Sequence, residues 1–146
     1  MSHVWSDEIE EIARRLRMAE LLGGDEKIRR QRDAGRSTVR ERIADLLDDE
    51  SFEEIGALAG FATLAEDGST VSVMPANFVF GLGSIDGRRV ALGADDFTIR
   101  GGAADASIMA KQVDSERLAA ALRVPLVRLV EGTGGGGSTS SSVASR

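Results

Sequence analysis

Phe78-Val79-Phe80-Gly81-Leu82-Gly83-Ser84-Ile85, then Asp86-Gly87, then Arg88-Arg89-Val90-Ala91-Leu92, is the stretch whose reading decides the fold. Asp-Gly between two apolar runs signals a type I′ turn, because both central residues of that turn take positive φ. The stretch therefore predicts an antiparallel hairpin whose first strand is thinned by Gly81 and Gly83. Downstream, a loop over Gly93–Gly102 leads into a helix from Ala103 to about Arg123, with Ile108, Val113, Leu118 and Leu122 among its apolar positions. Pro125 stops that helix, and Leu126–Val130 reads as a short buried strand. Strand, strand, helix, strand is a ββαβ order. A strand reached through a crossover helix implies parallel pairing somewhere in the sheet.

Upstream of the hairpin, Asp67-Gly68 marks another turn, followed by a strand over Val71–Met74 that Pro75 interrupts. Ser51–Leu64 reads as one or two strands, with Gly56 as a bulge. The opening third is helical. Ser6 is placed to cap a first helix, Asp7 and Glu8 suit its positive dipole end, and Ile9, Ile12, Leu16 and Ala19 form one stripe before Gly23-Gly24. A second, basic helix runs from Asp25 to Ala34 and closes at Gly35. Thr38-Val39-Arg40-Glu41 reads as a capping box for a third helix whose face is Ile43, Leu46 and Leu47. These segments divide into a helical arm at 1–50, lying outside the core, an α/β (α+β) unit at 51–137, and a disordered Ser-rich tail at 138–146.

With 146 residues, 42% of them hydrophobic, the chain is able to bury a core. No apolar run is long enough for a membrane span and no secretory signal opens the chain, so the expectation is a soluble, cytoplasmic protein. There is no Cys or Tyr, and the single His is His3. That excludes disulfides, thiolate chemistry and zinc ribbons, and excludes a Ser–His or Cys–His pair unless His3 folds back. No metal is expected. The net charge is −6, yet Lys27–Arg42 holds seven basic residues against two acidic ones. Such a segment suits a phosphate group, or it is a solvated helix face paired with neighbouring acids. Nucleic acid is the weaker reading, given the acidic whole and the few aromatic side chains.

Two glycine loops carry the candidate chemistry. Gly132-Thr133-Gly134-Gly135-Gly136-Gly137 follows a buried-type strand. Glycine lets successive N–H groups converge on one oxygen anion, which stabilises an enolate without a titrating side chain. The same composition also makes a flexible tether, and no Lys-Ser/Thr pair follows to make it a P-loop. The second loop, Asp95–Asp105, sets Gly101-Gly102 directly before a helix start, where unpaired N–H groups suit a carbonyl or phosphate oxygen. A plain loop-to-helix turn would look alike.

Taken in order, these segments resemble the carboxyltransferase (beta) subunit of biotin-dependent acyl-CoA carboxylases, over about Lys27–Gly137. Lys27–Ile43 resembles that family's Gly-Lys/Arg-x-Thr-x-Arg-Glu-Arg-Ile run, and Ser51-Phe52-Glu53-Glu54 its next step. Phe80–Arg88 is similar to Gly-x-Gly-x-Ile-Asp-Gly-Arg, and Asp96-Phe97-Thr98 with Gly101-Gly102 to Asp-Phe-Thr-x-x-Gly-Gly. Pro125–Gly137 stands where the family has a strand ending in a Ser/Thr-Gly-Gly loop.

The resemblance implies a partial crotonase-like fold, ββα units wound in a spiral. It implies transfer of a carboxyl group from carboxybiotin, carried by a partner protein, to the α-carbon of an acyl-CoA. Some relatives decarboxylate instead. By the same resemblance Gly134, Gly135 and Gly136 are the oxyanion-loop glycines. Gly101, Gly102 and Ala103 lie near the thioester or its opposite wall, and Arg36, Arg40 and Arg42 near the CoA phosphates or adenine. Expected partners are a biotin carboxylase or biotin carrier subunit and further copies or relatives of the chain. The family's length continues well past the glycine loop, so this chain alone is expected to be incomplete for catalysis. The competing reading is a non-catalytic module that assembles with carboxylase subunits or with itself.

Overall fold

A computed structural model describes residues 5–103 and 106–132, with the side chains of 106–108 left aside. The chain runs α1 (Ser6–Glu20), α2 (Asp25–Asp33), α3 (Val39–Leu46), β1 (Glu53–Glu54), β2 (Gly60–Leu64), β3 (Thr70–Pro75), β4 (Phe78–Ile85), β5 (Arg88–Asp95), a 3-10 turn (Arg100–Gly102), α4 (Ala106–Leu122) and β6 (Leu126–Leu129). The main sheet has the order β1-β4-β5-β6, with β5 and β6 parallel across the α4 crossover and the other pairs antiparallel. β2 and β3 form a separate two-stranded sheet.

The β4–β5 hairpin forms because its turn dipeptide meets the backbone requirement: Asp86 and Gly87 take φ of 50° and 74°. Eight consecutive residue pairs follow without a slip. Alternation then sorts the side chains. Phe78, Phe80, Leu82 and Ala91 meet Ala119 and Leu118 of α4, while Val79, Val90, Leu92 and Ala94 meet Val39, Ile43 and Leu47 from α3 and its end. The glycines that thin β4 have a packing reason. A Cβ at Gly83 would strike the Leu47 side chain, and one at Gly81 the Phe52 ring, 2.5 Å from its nearest atom. Leu47 from the arm and Phe52 just after it fill what the strand omits.

Several expectations are corrected. The arm is present, but α3 and Leu22 belong to the core, because an open sheet needs both faces covered. Ser6 lies inside α1; Trp5 occupies the cap position and makes no side-chain capping bond. Of the α1 stripe only Ala19 is buried, while Ile9, Ile12 and Leu16 face outward. Gly56 sits in the link between β1 and β2, and the register shift falls at Thr63/Leu64. β5 continues to Asp95, since parallel pairing with β6 extends it past Leu92. In α4 Leu118 packs inward, Val113 and Leu122 are exposed, and Ile108 lies outside the described side chains. The Thr38 capping box forms as read, its Oγ1 accepting the Glu41 N–H while Glu41 Oε2 accepts the Thr38 N–H at 2.6 Å. The tail at 138–146 lies outside the described residues.

Candidate functional site

The loop after β5 is built by its own short side chains. Asp96 is buried, and its Oδ1 accepts the Thr98 N–H at 2.9 Å and the Thr98 hydroxyl at 2.7 Å. Thr98 Oγ1 in turn accepts the N–H of Gly23 at 2.9 Å, which pins the α1–α2 junction to the loop. Asn77, buried at the start of β4, donates through Nδ2 to the carbonyl of Ala103 at 2.7 Å. Burial pushes the Asp96 carboxyl above its ordinary range, opposed by the Thr98 hydrogen bonds and by Arg40 and Arg42.

This scaffold holds Arg100, Gly101 and Gly102 at φ of 53°, 62° and 66°. Gly102 has no alternative residue, since a Cβ there would overlap the carbonyl oxygen of Glu131. Gly132 lies against the Gly102 carbonyl from the other side. The two glycine loops read from the sequence therefore meet, Gly101–Gly102 against the residues that open the terminal glycine run. Gly134, Gly135 and Gly136 lie outside the described residues.

Glu131 organises the basic segment. Gln31 Nε2 donates to it at 2.8 Å, Arg42 pairs with it at 2.9 Å and Arg36 at 3.7 Å. Arg42 also donates to the Asp95 carbonyl at 2.6 Å, and Arg40 pairs with Glu54 at 2.8 Å. Arg40 and Arg42 are thus spent largely on their own chain's carboxylates, tying the arm to β1 and to the end of β6. Arg36 lies differently: its guanidinium stacks 4.3 Å above the Phe97 ring and borders a groove.

That groove, of about 470 Å³, is lined by Lys27, Arg30, Arg36 and Arg100 together with Gln31, Phe97, Thr98 and Gly101. Four cationic side chains and no carboxylate line it, so its field favours an anion. Of the residues named from the sequence, Arg36 and Gly101 line this groove. The sequence reading missed Lys27, Arg30 and Arg100 as groove residues, and Gln31 and Glu131 as the pair behind them. Only the run of positive charge from Lys27 pointed toward the first two; Arg100 comes from a distant segment. Behind β1, burial lowers the Lys111 ammonium to about 8, against the attraction of Glu54 and with the repulsion of Arg40. Among the described residues no cluster of acidic, His or Cys side chains suits a metal ion, and no helix is long and apolar enough to cross a membrane.

Comparison with known proteins agrees with this architecture. Residues 30–145 match the carboxyl transferase domain. The methylmalonyl-CoA carboxyltransferase 12S subunit of Propionibacterium freudenreichii subsp. shermanii is 36% identical over 108 residues, covering 73% of this chain and 20% of that protein. The methylmalonyl-CoA decarboxylase subunit alpha of Veillonella parvula is 32% identical over 128 residues, 88% of this chain and 25% of that one. A transcarboxylase 12S structure, a hexamer with methylmalonyl-coenzyme A and methylmalonic acid bound, superposes with a TM-score of 0.76 at 30% identity, covering 91% of this chain and 26% of its own. The chain spans about a fifth to a quarter of the length of these relatives. Its ββαβ core is that of the crotonase-like carboxyltransferases, and the chain belongs to the carboxyl transferase domain family of biotin-dependent acyl-CoA carboxylases.

Proposed function

We propose that this region forms the acyl-CoA side of a carboxyltransferase site, with the basic groove taking the phosphates of CoA and the glycine loops taking the thioester. One observation carries the reading: the cationic groove opens at Gly101, and Gly102 abuts Glu131 and Gly132, where the terminal glycine run begins. A phosphate held by Lys27, Arg30, Arg36 and Arg100 would direct the rest of the ligand along that line. Arg36 touches the ligand in this reading, while Arg40 and Arg42 shape the wall through Glu54 and Glu131. Gly101, Gly102 and Ala103 border the thioester.

The chemistry follows from the loops. When the α-carbon of the thioester loses its proton, negative charge moves onto the carbonyl oxygen, and backbone N–H groups of Gly134, Gly135 and Gly136 hold it there. Such donors cost no proton transfer of their own, which suits a chain without Cys or Tyr. Carboxybiotin on a partner subunit would supply the activated carboxyl group that the α-carbon receives, the biotin left behind would take up the α-proton, and none of the described residues is assigned to hold the carboxybiotin. The relatives above are named for methylmalonyl-CoA, the carboxylated ester, so in the direction written here the proposed acceptor is the corresponding uncarboxylated acyl-CoA and the carboxylated ester is the product.

The test is an amide NMR titration with CoA and, in parallel, with pantetheine, which shares the thiol arm and lacks the nucleotide phosphates. CoA is expected to shift Lys27, Arg30 and Gly101, with pantetheine far weaker, and Arg36→Ala is expected to weaken CoA binding several-fold. Equal shifts with both ligands, or none with either at millimolar concentration, would sink the groove assignment. A second reading, a non-catalytic assembly module, is favoured by the exposed apolar residues of α1 and of the β2–β3 hairpin.

A further inference from the structure

The chain has two lysines, and they stand in opposite surroundings. Lys27 lines the open cationic groove together with three arginines. Lys111, on α4, is half-buried against the link between β1 and β2, its Cε packed 3.4 Å from where a Cβ at Gly56 would stand. Two charged side chains act on its ammonium, Glu54 from β1 and Arg40 from α3. Those two are already paired with each other, Arg40 Nη1 donating to Glu54 Oε2 at 2.8 Å, and their side chains are only 29% and 17% exposed. Among the described residues Lys111 makes no ion pair of its own, and Glu54 attracts it only at a distance. The cluster therefore holds two cations and one carboxylate, and Lys111 is the odd charge.

Such a place disfavours an ammonium and accepts an uncharged group. Burial strips water from the charge and Arg40 repels it, which together outweigh Glu54 and lower Lys111 to about 8. Roughly a tenth of it is then free amine at pH 7, against about three parts in ten thousand for a lysine with the ordinary value. The free amine is the nucleophile, and a lysine desolvated beside a second cation is activated toward carbonyl carbon. We propose that Lys111 is a modification site, N-acylated by a small acyl thioester whose acyl group carries no charge. In that step the Nζ lone pair attacks the thioester carbonyl carbon, the N–C bond forms and the C–S bond breaks. The sulfur leaves as thiolate and takes up the proton that the nitrogen loses, so no other reactant is needed. The product amide is neutral. It leaves the Arg40–Glu54 pair in place and removes the odd cation from the cluster.

The proposal is separate from the acyl-CoA reading of the groove, because the reaction needs a thioester and no nucleotide. The test is to incubate the whole chain with acetyl-N-acetylcysteamine, a thioester without phosphates, and to map acetylated peptides by mass spectrometry. Lys111 is expected to react about tenfold faster than Lys27, or more, at pH 7. Its rate should rise with pH and level off above about 8. In urea the two lysines should react alike, since the advantage of Lys111 comes from packing. The acetylated chain should keep its circular dichroism and melt no lower than the unmodified one, and Lys111→Arg should lose that product alone. Equal or slower acetylation of Lys111 in the folded chain overturns the proposal. So does an excess that persists in urea, or a melt lowered by the modification. CoA failing to shift the groove would leave this result standing, and failure here would leave the groove assignment standing.

Discussion

Two hairpins in this molecule turn on the same dipeptide, Asp-Gly, and become different objects. At Asp86-Gly87 both residues take positive φ, the turn holds two residues, and eight pairs of β4 and β5 run in strict register. At Asp67-Gly68 only Gly68 does so, at 83°. Its N–H donates to the Ala65 carbonyl, Asp67 Oδ1 accepts the Ser69 N–H, and the β2–β3 register shifts at Thr63/Leu64. The first hairpin is covered by α3 on one face and α4 on the other. The second leaves Phe61 and its cross-strand partner Met74 exposed together. The turn dipeptide announces a reversal. The register is tightened by burial, because a one-residue slip in β4 would drive Phe78 and Phe80 into the wrong layer, whereas a slip in β2 exposes nothing that was buried.

The comparison is broken most severely by truncating the covered hairpin. Leu92→Ala empties a fully buried position between β5 and α3 and should cost about 2–5 kcal/mol, measured by urea denaturation. An equal cost for Leu64→Ala in the exposed hairpin would contradict it. Glu131→Ala comes next. It removes the carboxylate that gathers Gln31, Arg36 and Arg42 and should cost roughly 2–3 kcal/mol, with amide exchange rising in the arm before the sheet. Thr38→Ala removes half of the capping box of α3, the helix that covers β5, and should cost about 1 kcal/mol in the same denaturation series. Lys111→Met probes the covered side through pH. Its ammonium is lowered to about 8 in the folded state, so folding favours the neutral form, and wild-type stability should rise as pH climbs from about 8 toward the unfolded value of 10.5. The Met variant should lose that slope and gain stability at neutral pH; an unchanged slope in thermal melts would refute the assignment. Phe61→Ser, the smallest, should change stability by less than about 0.5 kcal/mol in a monomeric sample.

Much of the fold was legible because local chemistry and tertiary demand agree there. The limits of β4, the Asp86-Gly87 turn, the Thr38–Glu41 box, the stop at Pro125 and the parallel strand after α4 all follow from short-range rules. In the stripe of α1 only Ala19 is buried, since periodicity states which residues share a face and says nothing about what covers it. The candidate site divides in the same way. Arg36 and Gly101 could be named from the sequence, while Arg40 and Arg42 are held by Glu54, Asp95 and Glu131, partners that lie far along the chain. Lys27 and Arg30 join Arg100 only after the arm folds back on the loop.

The sequence by itself determined the hairpin that turns at Asp86-Gly87, the Thr38 cap of α3, and the glycine positions at Gly101-Gly102 and Gly132. Tertiary structure decided that those two glycine loops touch, with Gly102 pressed on the Glu131 carbonyl, and that the terminal strand supplies the carboxylate for the arm's arginines. The physical reason is separation. Backbone preferences act within a few residues and are written in the local pattern, whereas a groove lined by charges of one sign exists only where distant segments pack, and packing depends on which faces find cover.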